Sequence, residues 1–180
     1  MPEHALNPIP FVFGKLPSHG DFIARGLSAT EISAWDDALA TSLEAARREF
    51  GEDFERRYAQ APPWRFFVEV GHSWMAGAIA PSVDKVGRLF PVVAGARSAR
   101  CESVVGWAAH CETQLFDAIQ YGWSVSQLAE ALGRWRLGDD AEHIGHWWVD
   151  GGSESDVKPV AGVHPVTLLS AMLSARELVV

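Results

Sequence analysis

The sequence predicts an α/β (α+β) fold, a layered sandwich in which helices flank a mixed, largely antiparallel sheet. Short apolar runs bounded by Gly and Pro are intermixed with longer segments of helical periodicity, without the strict strand–helix alternation of a parallel sheet. The chain has 180 residues and a hydrophobic fraction of 48%, which is enough for one buried core. We therefore expect a single domain over residues 1–180.

Several short apolar or aromatic segments have the composition of strands. They lie at residues 9–14, 65–70, 74–80, 91–94 and 145–149. The tight connection Gly71-His72 makes the second and third of these segments antiparallel neighbours. In the last one, alternation along a strand sends one of Trp147 and Trp148 inward and the other outward, where it is a candidate for docking a partner.

The best-defined helix begins after Ser28, because Ser28 and Glu31 have the spacing of a capping box. Apolar residues then recur at helical spacing as far as Gly51, which ends the helix. The remaining helices are predicted around residues 54–58, over 103–120, over 125–136 and after Pro165.

Composition excludes several classes of function. The net charge of −8 and the pI of about 5.3 argue against a nucleic-acid partner. No stretch reaches the roughly 20 apolar residues of a membrane span, and the N-terminus lacks the features of a signal peptide. Two cysteines, Cys101 and Cys111, are most simply reduced thiols. We expect a cytoplasmic protein that does not insert into a membrane.

The motifs of common cofactor and metal sites are absent from the sequence. Neither glycine-rich phosphate-binding motif is present, so we expect no nucleotide cofactor. His143 and His146 are three residues apart, and Cys101, His110 and Cys111 lie elsewhere. Because structural zinc sites use close ligand pairs such as C-x-x-C, we expect no metal site.

Three loop segments combine Gly or Pro with charged and aromatic residues, a composition that often accompanies function. They are Gly14 to Arg25, Pro62 to Phe66, and Pro81 to Pro91. The candidate site residues that they supply are Lys15, Asp21, Arg25, Trp64, Arg65, Ser82, Asp84 and Arg88. They form either a partner-binding surface or a buried ion-pair network of the two Asp with Arg25, Arg65 and Arg88.

These segments resemble the TagF family of type VI secretion accessory proteins. The resemblance rests on the string from Gly14 to Gly26, on Trp64-Arg65-Phe66 and on the pattern P-S-x-D-x-V-G-R-x-F-P at 81–91, which is its most specific part. Trp35-Asp36 and the late Trp147-Trp148 with Gly151-Gly152 extend it over about 11–173. Some relatives carry a fused phosphatase, which we do not expect here because the sequence shows no metal-binding Asp motif for one.

The resemblance implies a non-catalytic, post-translational repressor of type VI secretion assembly, which binds a secretion component such as the forkhead-associated scaffold protein. We expect no enzymatic activity, and the oligomeric state is open. Two alternatives remain. One is a hydrolase that uses Ser82 with His72 or Asp84. The other is a sensor in which Lys15, Arg25 and Arg88 converge on an anion such as a nucleotide phosphate.

Overall fold

A computed structural model describes residues 8–99, 106–135, 147–149 and 160–174. Six strands form one sheet in the order β2-β1-β5-β4-β3-β6. Every pairing in the described sheet is antiparallel, so the α+β class is confirmed and the sheet is more uniform than predicted. The strands are β1 Ile9–Gly14, β2 Ile23–Arg25, β3 Trp64–Val70, β4 Ser73–Ala80, β5 Val92–Ser98 and β6 Trp147–Trp148.

The helices follow the predicted order. They are α1 Ala29–Phe50, α2 Phe54–Gln60, α3 Trp107–Tyr121, α4 Val125–Gly133 and α5 Leu168–Ser174, with a 3-10 turn over Gly51–Asp53. Both hydrogen bonds of the capping box between Ser28 and Glu31 are formed, so the predicted start of α1 is confirmed. A second capping box, between Ser124 and Gln127, begins α4.

Helices cover both faces of the sheet, which confirms the layered sandwich. On one face α1, α2 and α5 pack over side chains such as Phe11, Phe66 and Val93. On the other face α3 and α4 pack over side chains such as Val12 and Ala78. The two tryptophans of β6 point to opposite faces of the sheet because side chains alternate along a strand. Both are buried because helices cover both faces. The expectation that one of them is an outward docking residue is therefore wrong.

The observed elements differ from the predicted ones in several places. The short edge strand β2 was not predicted, because its exposed Ala24 and Arg25 give no apolar pattern. The strand expected at 91–94 begins at Val92 and runs to Ser98, and α4 ends at Gly133 rather than at 136. Parts of the predictions at 103–120 and 145–149 lie outside the described residues.

The connections of interest lie at one end of the sheet. In register, Gly14 at the end of β1 pairs with Val92 at the start of β5, and Ala80 at the end of β4 pairs with the same Val92. Residues 15–22 (loop A) and 81–91 (loop B) therefore leave the sheet side by side, and we call this region the loop end. Within the described residues, no helix combines the length and apolar character needed to cross a bilayer.

Candidate functional site

Backbone hydrogen bonds join loop A to loop B. The N–H of Lys85 donates to the carbonyl of His19 at 2.8 Å, and the N–H of Lys15 donates to the carbonyl of Pro91 at 3.4 Å. The Arg88 guanidinium adds a third link, since Nη2 donates to the carbonyl of Gly20 at 2.7 Å. The two loops thus form one surface, although about 70 residues separate them in the chain.

A buried ion-pair cluster lies beneath this surface. Asp84 Oδ2 is 3.0 Å from Lys15 Nζ and 2.6 Å from Arg88 Nε. The Asp84 carboxylate has no exposed surface, whereas the Arg88 side chain is 60% exposed. Two cations therefore share one buried carboxylate, which satisfies the hydrogen-bonding requirement of a buried charge.

The other carboxylate oxygen of Asp84 fixes the conformation of loop B. Its Oδ1 accepts from the backbone N–H groups of Val86 at 3.0 Å and of Arg88 at 2.9 Å. Gly87 adopts a φ of +88°, which closes the turn in a region that favours glycine. Burial alone would raise the pKa of the Asp84 carboxyl. The hydrogen bonds from Arg88, Lys15 and Val86 outweigh that effect and hold the pKa well below its usual range.

A tyrosine of α2 anchors the base of loop B. The hydroxyl of Tyr58 donates to the carbonyl of Ser82 at 2.9 Å and accepts from the N–H of Ser82 at 3.0 Å. A neutral tyrosine hydroxyl can both donate and accept, and burial raises the pKa of Tyr58 further above its ordinary value. The loop is therefore held at its base by Tyr58 and at its tip by Asp84.

Loop A is also tied to the helical layer behind it. Ser18 Oγ donates to the carbonyl of Trp123 at 2.6 Å, and His19 Nε2 accepts from the N–H of Val125, the first residue of α4, at 3.0 Å. Because loop B binds loop A in turn, the loop end is continuous with the connection between α3 and α4.

The loop end exposes a small mixed surface of apolar and basic side chains. Val86 is 73% exposed at the tip of loop B, and Lys85 and Arg88 are exposed on either side of it. On loop A, Phe22 is 49% exposed and stacks on the buried Phe13 with ring centroids 5.9 Å apart. Rigidly held aromatic and Arg side chains are common in binding hot spots.

The structure brings together only some of the predicted site residues. Lys15, Asp84 and Arg88 form the ion-pair cluster. Asp21 is exposed and has no ion pair among the described residues, so its predicted part in the network is wrong. Arg25 donates to Ser126 Oγ at 3.0 Å. Arg65 forms its ion pair with Glu112 of α3, on the face of the sheet away from α1.

Trp64 cannot serve as an exposed interaction residue, because its exposed fraction is 0%. It begins β3, and alternation along that strand places it with Phe66 in the core beneath α1. The Trp-Arg-Phe segment supplied candidate residues for a binding surface, but the role of Trp64 is packing in the core.

The hydrolase arrangement is not assembled. Ser82 Oγ donates weakly to the adjacent carbonyl of Val83 at 3.4 Å. His72 precedes β4 and Ser82 follows it, so this eight-residue strand separates them by roughly 25 Å at about 3.3 Å per residue. The Asp84 carboxylate is occupied by Lys15 and Arg88, and the predicted catalytic use of Ser82 with either partner is wrong.

The anion site is not assembled either. Lys15 and Arg88 are directed to the same carboxylate, and Arg25 binds α4 instead. For metals, no three His, Cys, Asp or Glu side chains of the described residues are grouped as ligands. Of the residues that the sequence analysis considered as metal ligands while expecting no metal site, Cys101, His143 and His146 lie outside the described residues.

Sequence reasoning missed the residues that give the loop end its surface and its anchor. Val86 and Phe22 stood within the motif segments, but an apolar residue in a motif is usually taken for core. A usable signal for Val86 was its place between Lys85 and Gly87 in a turn, where a side chain has nothing to pack against. No sequence signal pointed to Tyr58, because its contact with loop B depends on how α2 packs.

Comparisons with known proteins identify a family and a similar solved structure. The TagF N-terminal domain family, described as type VI secretion system-associated, matches residues 12–135, a range that includes both loops. Among solved structures, the crystal structure of PA0076 from Pseudomonas aeruginosa PAO1 is similar, with 26% identity and a TM-score of 0.61. That likeness covers 91% of this chain and 76% of the other. No curated protein matches the sequence significantly.

Proposed function

This chain belongs to the TagF N-terminal domain family of type VI secretion system-associated proteins, and from that premise we propose that it represses assembly of the secretion machine by binding. The repressor acts in the cytoplasm and does not catalyse a reaction. Its direct partner is a secretion component, for which the forkhead-associated scaffold protein is our candidate. The resemblance of the loop segments to TagF proteins supports this choice.

The observation that carries the proposal is the exposed, rigid loop end above the Lys15–Asp84–Arg88 cluster. The two hydrogen bonds that Asp84 Oδ1 accepts from the backbone, together with the link from Lys85 to His19, fix the backbone around Val86 before any partner binds. A surface ordered in advance loses little conformational entropy on binding, so more of the contact energy appears as affinity.

Repression requires only that this surface occupy a docking site on the scaffold. A folded domain that covers a docking site on the scaffold prevents the next component from binding there, and the extent of repression follows from affinity and concentration. Apolar Val86 and Phe22 supply area to be buried, and the basic side chains beside them restrict which surface can bury it.

A single charge placed at the tip tests the proposal. In a type VI-positive host that lacks its own copy, we expect wild-type protein to lower secretion of the machine's tube protein and to co-purify with the scaffold. Val86→Asp should weaken scaffold capture by about tenfold or more and restore secretion, because a carboxylate would lose the apolar contact.

The matched control is Val166→Asp, another exposed valine, which precedes α5 and lines a groove between α1 and α5. It should repress like the wild type. Equal repression by Val86→Asp and wild type, at equal protein levels, would remove the loop end from the mechanism. Scaffold capture that never exceeds background would reject the scaffold as the partner.

A further inference from the structure

We infer that the partner segment that docks on the loop end is acidic and carries an apolar side chain at its centre. This inference rests on the proposed function, because it specifies the chemistry of the partner that the same surface recognises.

The first observation is charge. Loops A and B hold Lys15, Lys85 and Arg88 against Asp21 and Asp84, a net of +1, whereas the chain as a whole carries −8. The surplus is at the surface, because the charges of the buried Lys15 and Asp84 cancel. Arg88 shares the single carboxylate of Asp84 with Lys15, so the exposed charges are those of Lys85, Arg88 and Asp21. Lys85 is also exposed and makes no ion pair among the described residues.

The second observation is where the apolar side chain lies. Val86 is flanked in the turn by Lys85 and, two residues on, by Arg88, and it is the most exposed large apolar side chain of the described residues. A partner that covers Val86 also removes water from the two cations beside it. Desolvating these charges is costly unless the partner supplies carboxylates, so a contact that buries Val86 needs acidic groups around its apolar centre.

The same observations disfavour other occupants. A free phosphate or nucleotide would leave Val86 and Phe22 in water, and Lys15 is already committed to Asp84. A nucleic acid or an anionic membrane extends well beyond the loop end and would meet the repulsion of a chain with net charge −8. A short acidic segment contacts only the basic region, which is the reason we choose it.

Photo-crosslinking tests the chemistry even while the partner is unidentified. In the full chain, p-benzoylphenylalanine in place of Val86 is irradiated in the type VI-positive host, and the attached peptide is sequenced by mass spectrometry. We expect a peptide with net negative charge and an aliphatic or aromatic residue at the attachment site. The control carries the same group in place of Val166.

Every other result overturns the inference. A neutral or basic peptide would do so, as would attachment to lipid or nucleic acid, or a yield no higher than that of the control at Val166. A peptide of the expected composition from a protein outside the secretion system would support the inference and contradict the proposed function, so the two failures are distinguishable.

A second measurement uses the purified scaffold protein as the probe. We expect Lys85→Glu to weaken binding by about tenfold, Lys85→Gln by about threefold, and a rise from about 50 to about 300 mM salt to weaken it several-fold. Arg48→Glu, an exposed charge change on α1, should have little effect. Binding that is lost in Val86→Asp but does not change with substitution of Lys85 or with salt would overturn the inference that the partner segment is acidic. It would leave the proposed function intact.

Discussion

The ammonium nitrogen of Lys15 lies 3.0 Å from a carboxylate oxygen of Asp84, and both side chains are buried although they are 69 positions apart in the chain. This pair fastens loop A to loop B at the point where β1 and β5 meet. A buried ion pair adds little stability compared with an apolar pair of the same shape, but losing one partner leaves an uncompensated charge in the interior. The pair therefore makes the geometry of the loop end depend strongly on each partner.

The first prediction concerns Asp84→Asn. The amide cannot balance Lys15 and cannot accept as many hydrogen bonds, so the ammonium is left buried without a carboxylate. We expect the melting temperature to fall by on the order of 10 °C, measured by differential scanning calorimetry. The matched control is Asp21→Asn, which changes an exposed carboxyl of loop A and should shift the transition by less than about 2 °C.

A double-mutant cycle separates the ion pair from other effects of the substitution. If the destabilisation comes from the unpaired ammonium of Lys15, the double variant Lys15→Met, Asp84→Asn should lose clearly less free energy of unfolding than the sum of the two single variants. Additive losses would show that Asp84 acts through its bonds to the backbone of Val86 and Arg88 instead.

The second prediction is a pH dependence that has its origin in Asp84. Its pKa is lowered in the folded protein, so the carboxylate form contributes stability at every pH above its unfolded pKa of about 3.9. That contribution is lost as the pH falls through the interval between this value and the lower folded pKa. In urea unfolding, the stability difference between wild type and Asp84→Asn should be constant from about pH 5 to 7 and shrink below about pH 4. A difference that is the same at pH 3 and pH 7 would contradict it.

Sequence reasoning succeeded where the determining interactions are local. The capping box of Ser28 and Glu31 lies within one turn, and the helical stripe after it needs no tertiary information. The predicted ion pair of Asp84 with Arg88 in loop B is likewise local, because the two residues are four positions apart. Such features can be predicted from the spacing of residues within a few positions of one another.

Sequence reasoning failed where the order of the strands in the sheet determines which side chains form an ion pair. Asp84 was expected to pair with Arg25, Arg65 and Arg88 alike. Only the adjacency of β1 and β5 brings Lys15 beside it, and that adjacency is not visible in local patterns. Trp64 was misplaced for a related reason, since its exposure depends on the helix that covers its face of the sheet.

The third prediction contrasts two glycines. Gly14 ends β1 with a φ of +129°, and a Cβ there would lie 2.2 Å from the carbonyl oxygen of Pro91. Gly14→Ala should therefore destabilise the protein by more than about 2 kcal/mol and separate loop A from loop B. Gly133→Ala is the control, because its Cβ meets nothing within 4 Å at the end of α4. It should be neutral or stabilise by up to about 1 kcal/mol in urea unfolding.

The fourth prediction distinguishes an anchoring role for Tyr58 from a chemical role for Ser82. Both hydrogen bonds between them use the backbone of Ser82, so Tyr58→Phe leaves the buried N–H of Ser82 without a partner, whereas its carbonyl still accepts from the N–H of Phe90 at 3.2 Å. We expect a loss of about 1–3 kcal/mol in the free energy of unfolding, which is the cost of one unsatisfied buried group. Tyr121→Phe, at an exposed position in α3, should change it by less than about 0.5 kcal/mol.

Ser82→Ala completes this comparison, because it keeps the backbone bonded to Tyr58 and removes only a hydroxyl that donates weakly to Val83. Stability should change by less than about 1 kcal/mol, and repression of secretion should equal that of the wild type. Loss of repression in a folded Ser82→Ala protein would assign the hydroxyl a direct role in function and contradict a purely structural serine. Tyr58→Phe should instead weaken repression in step with its loss of stability, because loop B then loses its anchor while the residues that face the partner are unchanged.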